Sequence, residues 1–157
     1  MKFEIKGNFL QLRLHNERIF STCLNFFSLE IIFHDDTISI GYSVENACLT
    51  VDFEAFDTCR EAYQRALEEA LSFISFKSTQ KIIFNQSKKS FFRKEDTSWA
   101  WNDWLPRLSQ CLGKQGKLAV VLPKKMLWNI EKTSKTAFPF ENKVFSSVEE
   151  ANHWLNK

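Results

Sequence analysis

Hydrophobic and polar residues alternate with a period of two at the start of the chain. The alternating apolar residues, arranged about Gly7-Asn8, are Phe3, Ile5, Leu10, Leu12 and Leu14. This pattern predicts a β-hairpin. Three further runs, residues 29–33, 37–42 and 47–53, are separated by short polar turns and predict an antiparallel meander.

The hydrophobic period changes after residue 53. Apolar positions now recur at intervals of three and four and define one face of a helix: Tyr63, Leu67, Ala70, Leu71 and Ile74. Residues 58–61, Thr-Cys-Arg-Glu, have the pattern of a capping box, so we expect Thr58 to cap the start of this helix.

Strands and helices alternate along the rest of the chain. The predicted elements are strand 81–84, helix 96–112, strand 117–122, helix 124–133, strand 143–145 and a final helix that begins at a capping box, residues 147–150. Antiparallel strands followed by alternating helix and strand predict the α/β class. We expect a mixed β-sheet with right-handed crossovers and helices mainly on one face.

The second of these helices contains three closely spaced tryptophans in WAWNDWLPRL, residues 99–108. At 100° per residue, Trp101 and Trp104 fall on the same stripe as the leucines that follow, whereas Trp99 points away. We therefore expect Trp101 and Trp104 in the core and Trp99 outside it. Pro106 lacks a backbone donor and predicts a kink or local break.

Length and composition favour one globular domain. The chain has 157 residues and is 44% apolar. We assign a single domain over 1–157, with 1–29 as an N-terminal extension and 30–156 as the core. Four cysteines without a C-x-x-C pair, together with a start that reads as strand, predict reduced thiols and a cytoplasmic protein. The apolar run 118–122 is too short for a membrane span.

The sequence holds no recognisable catalytic or metal motif. His15, His34 and His153 are far apart, and no Cys/His spacing suits zinc. Neither a G-x-S-x-G nucleophile elbow nor a glycine-rich phosphate loop is present. We therefore assign no catalytic residue, metal or cofactor. A net charge of +2 without a nucleic-acid-binding signature also argues against nucleic acid as a partner.

Charge is unevenly distributed along the chain. Residues 30–69 carry a net charge of −8, and residues 77–143 carry +9. Two lysine pairs, Lys88-Lys89 and Lys124-Lys125, each follow a predicted buried strand. If those strands are parallel neighbours, both pairs emerge at the carboxyl edge of the sheet, where open α/β sheets bind ligands. Phe91, Phe92 and Trp128 would then supply apolar walls for an anionic or amphipathic ligand.

Several segments together resemble a known family. They are KIIFN, EDTSWAWNDWLPRL, GKLAVVLP and FSSVEEANHWL, in that order. The chain resembles, over roughly residues 30–156, small bacterial STAS-like domains, which share the SpoIIAA-like fold of anti-sigma-factor antagonists. The resemblance implies a small α/β sheet covered by helices, and a domain that binds a protein partner or a small ligand.

The chain departs from the antagonist pattern at one turn. Antagonists carry Asp-Ser-Ser/Thr-Gly after a central strand, and the serine is phosphorylated. The corresponding residues here are Asn85-Gln86-Ser87-Lys88-Lys89-Ser90, without the aspartate and the glycine. The serines that remain in this turn are Ser87 and Ser90, so the resemblance implies these two as the candidate phosphorylation sites.

These observations predict a non-enzymatic regulatory or binding module. Its partner would be a protein, which includes a second copy of the chain in a homodimer, or a small anionic or amphipathic ligand. The alternative is an enzyme whose site is assembled from residues distant in sequence. A perturbed titratable group in a pocket would favour the enzyme, and an exposed apolar patch would favour the interaction module.

Overall fold

The computed structural model describes residues 5–6, 9–10, 29–130 and 139–157, and the side chains of residues 29–127 and 139–157. The strands are β1 (Ile5–Lys6), β2 (Phe9–Leu10), β3 (Leu29–His34), β4 (Ile38–Ser43), β5 (Cys48–Phe53), β6 (Lys81–Asn85), β7 (Lys117–Val121) and β8 (Glu141–Phe145). The helices are α1 (Arg60–Lys77), α2 (Lys94–Trp99), α3 (Leu105–Leu112), α4 (Lys124–Ile130) and α5 (Val148–Leu155).

Six strands form one mixed sheet in the order β3-β4-β5-β6-β7-β8. The pairs β3–β4 and β4–β5 are antiparallel, and β5 to β8 pair in parallel. The predicted meander and the predicted mixed α/β class are both confirmed. β1 and β2 pair antiparallel, as the hairpin prediction requires, while residues 7–8 and 11–28 lie outside the described residues.

The two faces of the sheet are covered by different helices. Odd-numbered residues of β5, such as Val51, and even-numbered residues of β6, such as Ile82, join the large core formed with α1 and α3. The opposite face of β6 and β7 presents Ile83 and Ala119 to α5. This alternation follows from the two-residue repeat of a strand, and it leaves the α1 and α3 face as the thicker layer.

The two predicted capping boxes have different outcomes. The residue at the N-terminal cap of α1 is Cys59, without a side-chain bond, and the buried Thr58 hydroxyl has no partner among the described residues. The Thr58 prediction was wrong because the helix begins one residue later than the box requires. At α5, Ser147 accepts a bond from the Glu150 N–H, although the Glu150 carboxylate accepts from Ser146.

A π-helical turn, Ala100–Trp104, lies between α2 and α3 and just before Pro106. The Leu105 N–H bonds to the Ala100 carbonyl, five residues back. A regular helix would require a Pro106 N–H bonded to the Asn102 carbonyl, and proline has no such donor. The predicted local break at Pro106 is therefore this wider turn, which is a common form of helix irregularity.

The wide turn changes which tryptophans are buried. Trp104 is 1% exposed, and its indole N–H donates to the Leu67 carbonyl of α1 at 2.8 Å. Trp101 is 43% exposed, so its prediction as core was wrong. Trp99, predicted to point away, packs edge-on against Tyr63. A π turn advances fewer degrees per residue, so it turns Trp101 away from the core stripe and Trp99 toward it.

The remaining predictions concern α4, the cysteines and the membrane. α4 ends at Ile130, and the rest of the helix predicted over 124–133 lies outside the described residues. Cys48, Cys59 and Cys111 are free thiols, while Cys23 lies outside the described residues. Among the helices of the described ranges, none combines the length and apolar character that crossing a bilayer requires.

We expect Trp104→Ala to lower the free energy of unfolding by about 3–5 kcal/mol, because it removes a fully buried aromatic ring. Trp101→Ala, on the exposed side of the same turn, should cost less than about 1 kcal/mol. Urea unfolding of both variants measures the difference. Equal losses for the two variants would contradict the assignment of Trp104 as the buried anchor.

Candidate functional site

The carboxyl ends of β5, β6, β7 and β8 all lie at one edge of the sheet, because these strands are parallel. Backbone bonds tie the loops at this edge together. The Gln86 N–H donates to the Val121 carbonyl at 2.8 Å, and the Leu122 N–H donates to the Phe145 carbonyl at 3.1 Å. Ligands of open α/β sheets bind at this edge, which makes it the candidate location of a binding site.

Both lysine pairs emerge at this edge, as the order of elements predicts, but they interact with different parts of it. Lys88 forms an exposed ion pair with Glu54, just beyond the end of β5, and this contact raises the Lys88 pKa. Lys124 and Lys125 are exposed. The pKa of Glu150 in α5 is lowered mainly by hydrogen bonds from Ser146, and the charge of Lys124 adds to that shift. Binding of one anion by all four lysines stays a prediction.

The Lys89 side chain lies inside the protein, with only 6% of the residue exposed. Its ammonium group faces three aromatic rings, at 4.9 Å from the Phe53 centroid, 5.5 Å from Tyr63 and 5.8 Å from Phe92. These rings come from the end of β5, the first turns of α1 and the loop before α2. We call Lys89 together with these three rings the lysine cage.

Two carboxylates, Asp57 and Asp96, interact electrostatically with the ammonium group of the lysine cage. Burial lowers the pKa of Lys89, and the charges of Asp57 and Asp96 oppose that shift. Asp96, in the first turn of α2, is 7% exposed, and its Oδ1 has no hydrogen-bond partner among the described residues. Burial, with the Asp96 charge, also raises the pKa of Tyr63. The cage therefore holds one cation among aromatic rings and two acids, which offset part of the cost of burying an ammonium group.

Arg93 ties the loop of residues 86–93 to the start of α1. Its Nε donates to Asp57 Oδ1 at 3.1 Å, and its terminal nitrogen donates to Asp57 Oδ2. This two-point contact holds the pKa of Asp57 below its usual range, with the Arg93 hydrogen bond as the largest cause. A bidentate guanidinium–carboxylate pair fixes orientation as well as distance. The loop and the helix start are thus held as one unit.

A neighbouring polar contact joins the ends of β5 and β6. The Asn85 amide donates to Asp52 at 2.7 Å. Burial raises the pKa of Asp52, and the Asn85 hydrogen bond opposes that rise. Because the pair links the ends of two parallel strands, it fixes the point at which the loop of residues 86–93 leaves the sheet.

Three phenylalanines at this edge project into solvent. Phe56 is 73% exposed, Phe91 is 48% exposed and Phe92 is 40% exposed. The Ser90 N–H, next to Phe91, donates to the Phe56 carbonyl at 3.4 Å, so the two loops that carry these rings adjoin. We call Phe56, Phe91 and Phe92 the aromatic rim. Large apolar side chains that stay exposed in a cluster mark an interaction surface.

The other residues singled out in the sequence have mixed outcomes. Phe91 belongs to the aromatic rim, and the Trp128 side chain lies outside the described residues. Ser87 and Ser90 are exposed in the loop of residues 86–93, and their phosphorylation stays a prediction. The cage residues Phe53, Tyr63 and Asp96 and the rim residue Phe56 were not predicted, because each reads locally as an ordinary strand end, helix face or loop residue.

The chain is similar to a solved structure. No family model and no curated protein matches the chain. Among solved structures, the chain is similar to the crystal structure of an uncharacterized protein from the DUF3478 family with a SpoIIAA-like fold, from Shewanella loihica PV-4. The two are 17% identical, with 87% of this chain and 98% of that chain covered and a TM-score of 0.48. The fold named for that protein is of the kind that the resemblance of residues 30–156 implies.

We expect Asp57→Asn to destabilise the fold in a pH-dependent way. Since the folded-state pKa of Asp57 is depressed, its carboxylate stabilises the protein above its unfolded pKa of about 3.9. That contribution is lost as the pH falls through the lower folded pKa. Urea unfolding from pH 6 down to about pH 2 should therefore show the wild type and the variant converging in acid.

The exposed Asp36, in the turn before β4, provides the control variant Asp36→Asn. A stability difference between wild type and Asp57→Asn that stays constant through acid pH would show that the Arg93 contact does not depend on the Asp57 charge.

Proposed function

We propose that this domain is a non-enzymatic binding module that recognises a partner protein through the aromatic rim. One observation carries the proposal: three exposed phenylalanines lie together in two adjoining loops at the carboxyl edge of the sheet. The complementary surface on the partner would be an apolar anchor, such as an aliphatic or aromatic side chain.

The surroundings of the aromatic rim support this proposal. Protein interfaces place aromatic residues at a desolvated centre and surround them with polar and charged groups. Here the exposed ion pairs Lys88–Glu54 and Arg93–Asp57 flank the rings. A fully exposed aromatic side chain buries about 150–250 Å² when covered, and these three bury the 40–73% that is still exposed. A few such side chains can supply most of the energy of an interface.

Charge favours an apolar protein partner over an anionic ligand. In the loop of residues 86–93, Lys88 and Arg93 are each ion-paired with a carboxylate. Lys89 interacts with the charges of Asp57 and Asp96. An incoming anion beside the rim would have to compete with these internal acids. An apolar anchor needs no such exchange, because it gains from covering the rings themselves.

The lysine cage bears on the alternative that the protein is an enzyme. Lys89 beside Asp96 is the kind of perturbed titratable group from which active sites are built. However, with Lys89 only 6% exposed, its amine offers little surface to a substrate, whereas the rim residues are 40–73% exposed. The accessible feature is apolar, and it supports a binding role.

The partner can be identified and then tested with purified components. A photo-crosslinking phenylalanine analogue at position 91, in cells of the native host, should capture a protein that the same analogue at position 76 does not capture. Phe76 is a matched control, because it is 81% exposed at the opposite end of α1. With the captured protein purified, Phe56→Ala and Phe91→Ala should each weaken binding about tenfold or more.

Both alanine variants should keep the wild-type melting temperature, because the rings they remove are exposed. Unchanged affinity in both variants, capture that is equal at positions 76 and 91, or capture of a lipid or other small molecule in place of a protein would each overturn the proposed function.

A further inference from the structure

The lysine cage has the construction of a cation-binding site. Three aromatic rings present their faces within about 6 Å of one ammonium group, and two carboxylates lie nearby. We infer that this cage is a binding site for alkylammonium groups and that, in the structure described, the chain's own Lys89 occupies it. A ligand that carries a primary alkylammonium group would displace Lys89 and take its place.

The cage has binding capacity that Lys89 does not use. Asp96 Oδ1 is buried and has no hydrogen-bond partner among the described residues. A buried acceptor without a partner costs stability, and an ammonium group has three N–H donors to offer. A free ammonium group is less restricted than one tethered to residue 89, so we expect it to reach this oxygen more readily.

Only the Lys89 side chain has to leave the cage, while the loop stays tied to the start of α1 by Arg93. Lys89 belongs to the loop of residues 86–93, which contains neither helix nor strand. The backbone bonds at this point are the Lys89 N–H to the Gln86 carbonyl at 3.0 Å and the longer bond from Ser90 to Phe56. One wall of the cage, Phe92, is 40% exposed, so its rotation would open the cage to solvent.

Displacement of Lys89 would weaken the apparent affinity of the wild type. A ligand binds only the fraction of molecules in which Lys89 has left the cage, and the apparent dissociation constant rises as that fraction falls. The inference goes beyond the proposed function, since a free alkylammonium tests the cage without any partner. Phe92 belongs to both the cage and the aromatic rim, so occupancy of the cage and exposure of the rim are coupled through one ring.

Lys89→Ala provides the direct test. The variant removes three methylene groups and the ammonium group of Lys89. n-Propylammonium also has three carbons and an ammonium group, so it can replace the deleted atoms. Thermal unfolding of Lys89→Ala should show a lower melting temperature that rises saturably with n-propylammonium. The neutral analogue n-propanol should have a much smaller effect, because it lacks the charge that the rings and acids attract.

One control isolates the cage. Lys88→Ala removes the adjacent lysine, which is exposed and ion-paired, and leaves Lys89 in the cage. Its melting temperature should respond to n-propylammonium only as weakly as that of the wild type. Equal rescue of Lys89→Ala by n-propylammonium and n-propanol, or no rescue by either, would overturn the inference.

A measurement on the wild-type protein covers the case in which Lys89→Ala does not fold. In the cage, the rings shield the Cε protons of Lys89, so their NMR signals should lie upfield of those of other lysines. Titration with n-propylammonium should move these signals, saturably, to the position of exposed lysines. Signals that stay upfield at saturating amine would show that the cage does not exchange its occupant.

Discussion

The parallel pairing of β5 with β6 is the constraint on which the candidate site depends. It aligns Asp52 with Asn85 and so brings the two strand ends to one edge. From there the loop of residues 86–93 returns over the end of β5, where Phe53 and Glu54 receive Lys89 and Lys88. An antiparallel β6 would leave from the opposite edge, and neither contact would form.

Much of the fold could be predicted from the sequence because its periods are clear. The change from alternation in residues 29–53 to three-and-four spacing in α1 marks the transition from antiparallel meander to crossover units. Helix ends were harder to predict, because they depend on single residues. Either Thr58 or Cys59 could be the N-cap residue of α1, and no sequence pattern decides between them.

The π-helical turn shows a second limit of prediction. A helical wheel assumes a constant angle per residue, and Pro106 breaks that assumption upstream of itself. The missing donor at Pro106 is accommodated by a wider turn at 100–104, which leaves Trp101 exposed and lets the half-buried Trp99 pack against Tyr63. The site has the same limit, since a lysine in a polar loop gives no local sign that it is buried. Lys89 is buried because Phe53, Tyr63 and Phe92, each from a different element, converge around it.

Ion pairs join the acidic and the basic segments of the chain. Four of them join the acid-rich residues 30–69 to the base-rich residues 77–143: Lys77–Glu30, Lys88–Glu54, Arg93–Asp57 and Arg107–Glu68. The two segments are complementary to each other, and folding pairs about half of their opposite charge within the molecule. Charges paired in this way contribute little to the field beyond the Debye length. These eight side chains therefore hold the two halves of the chain together and add little to the attraction of a charged molecule from a distance.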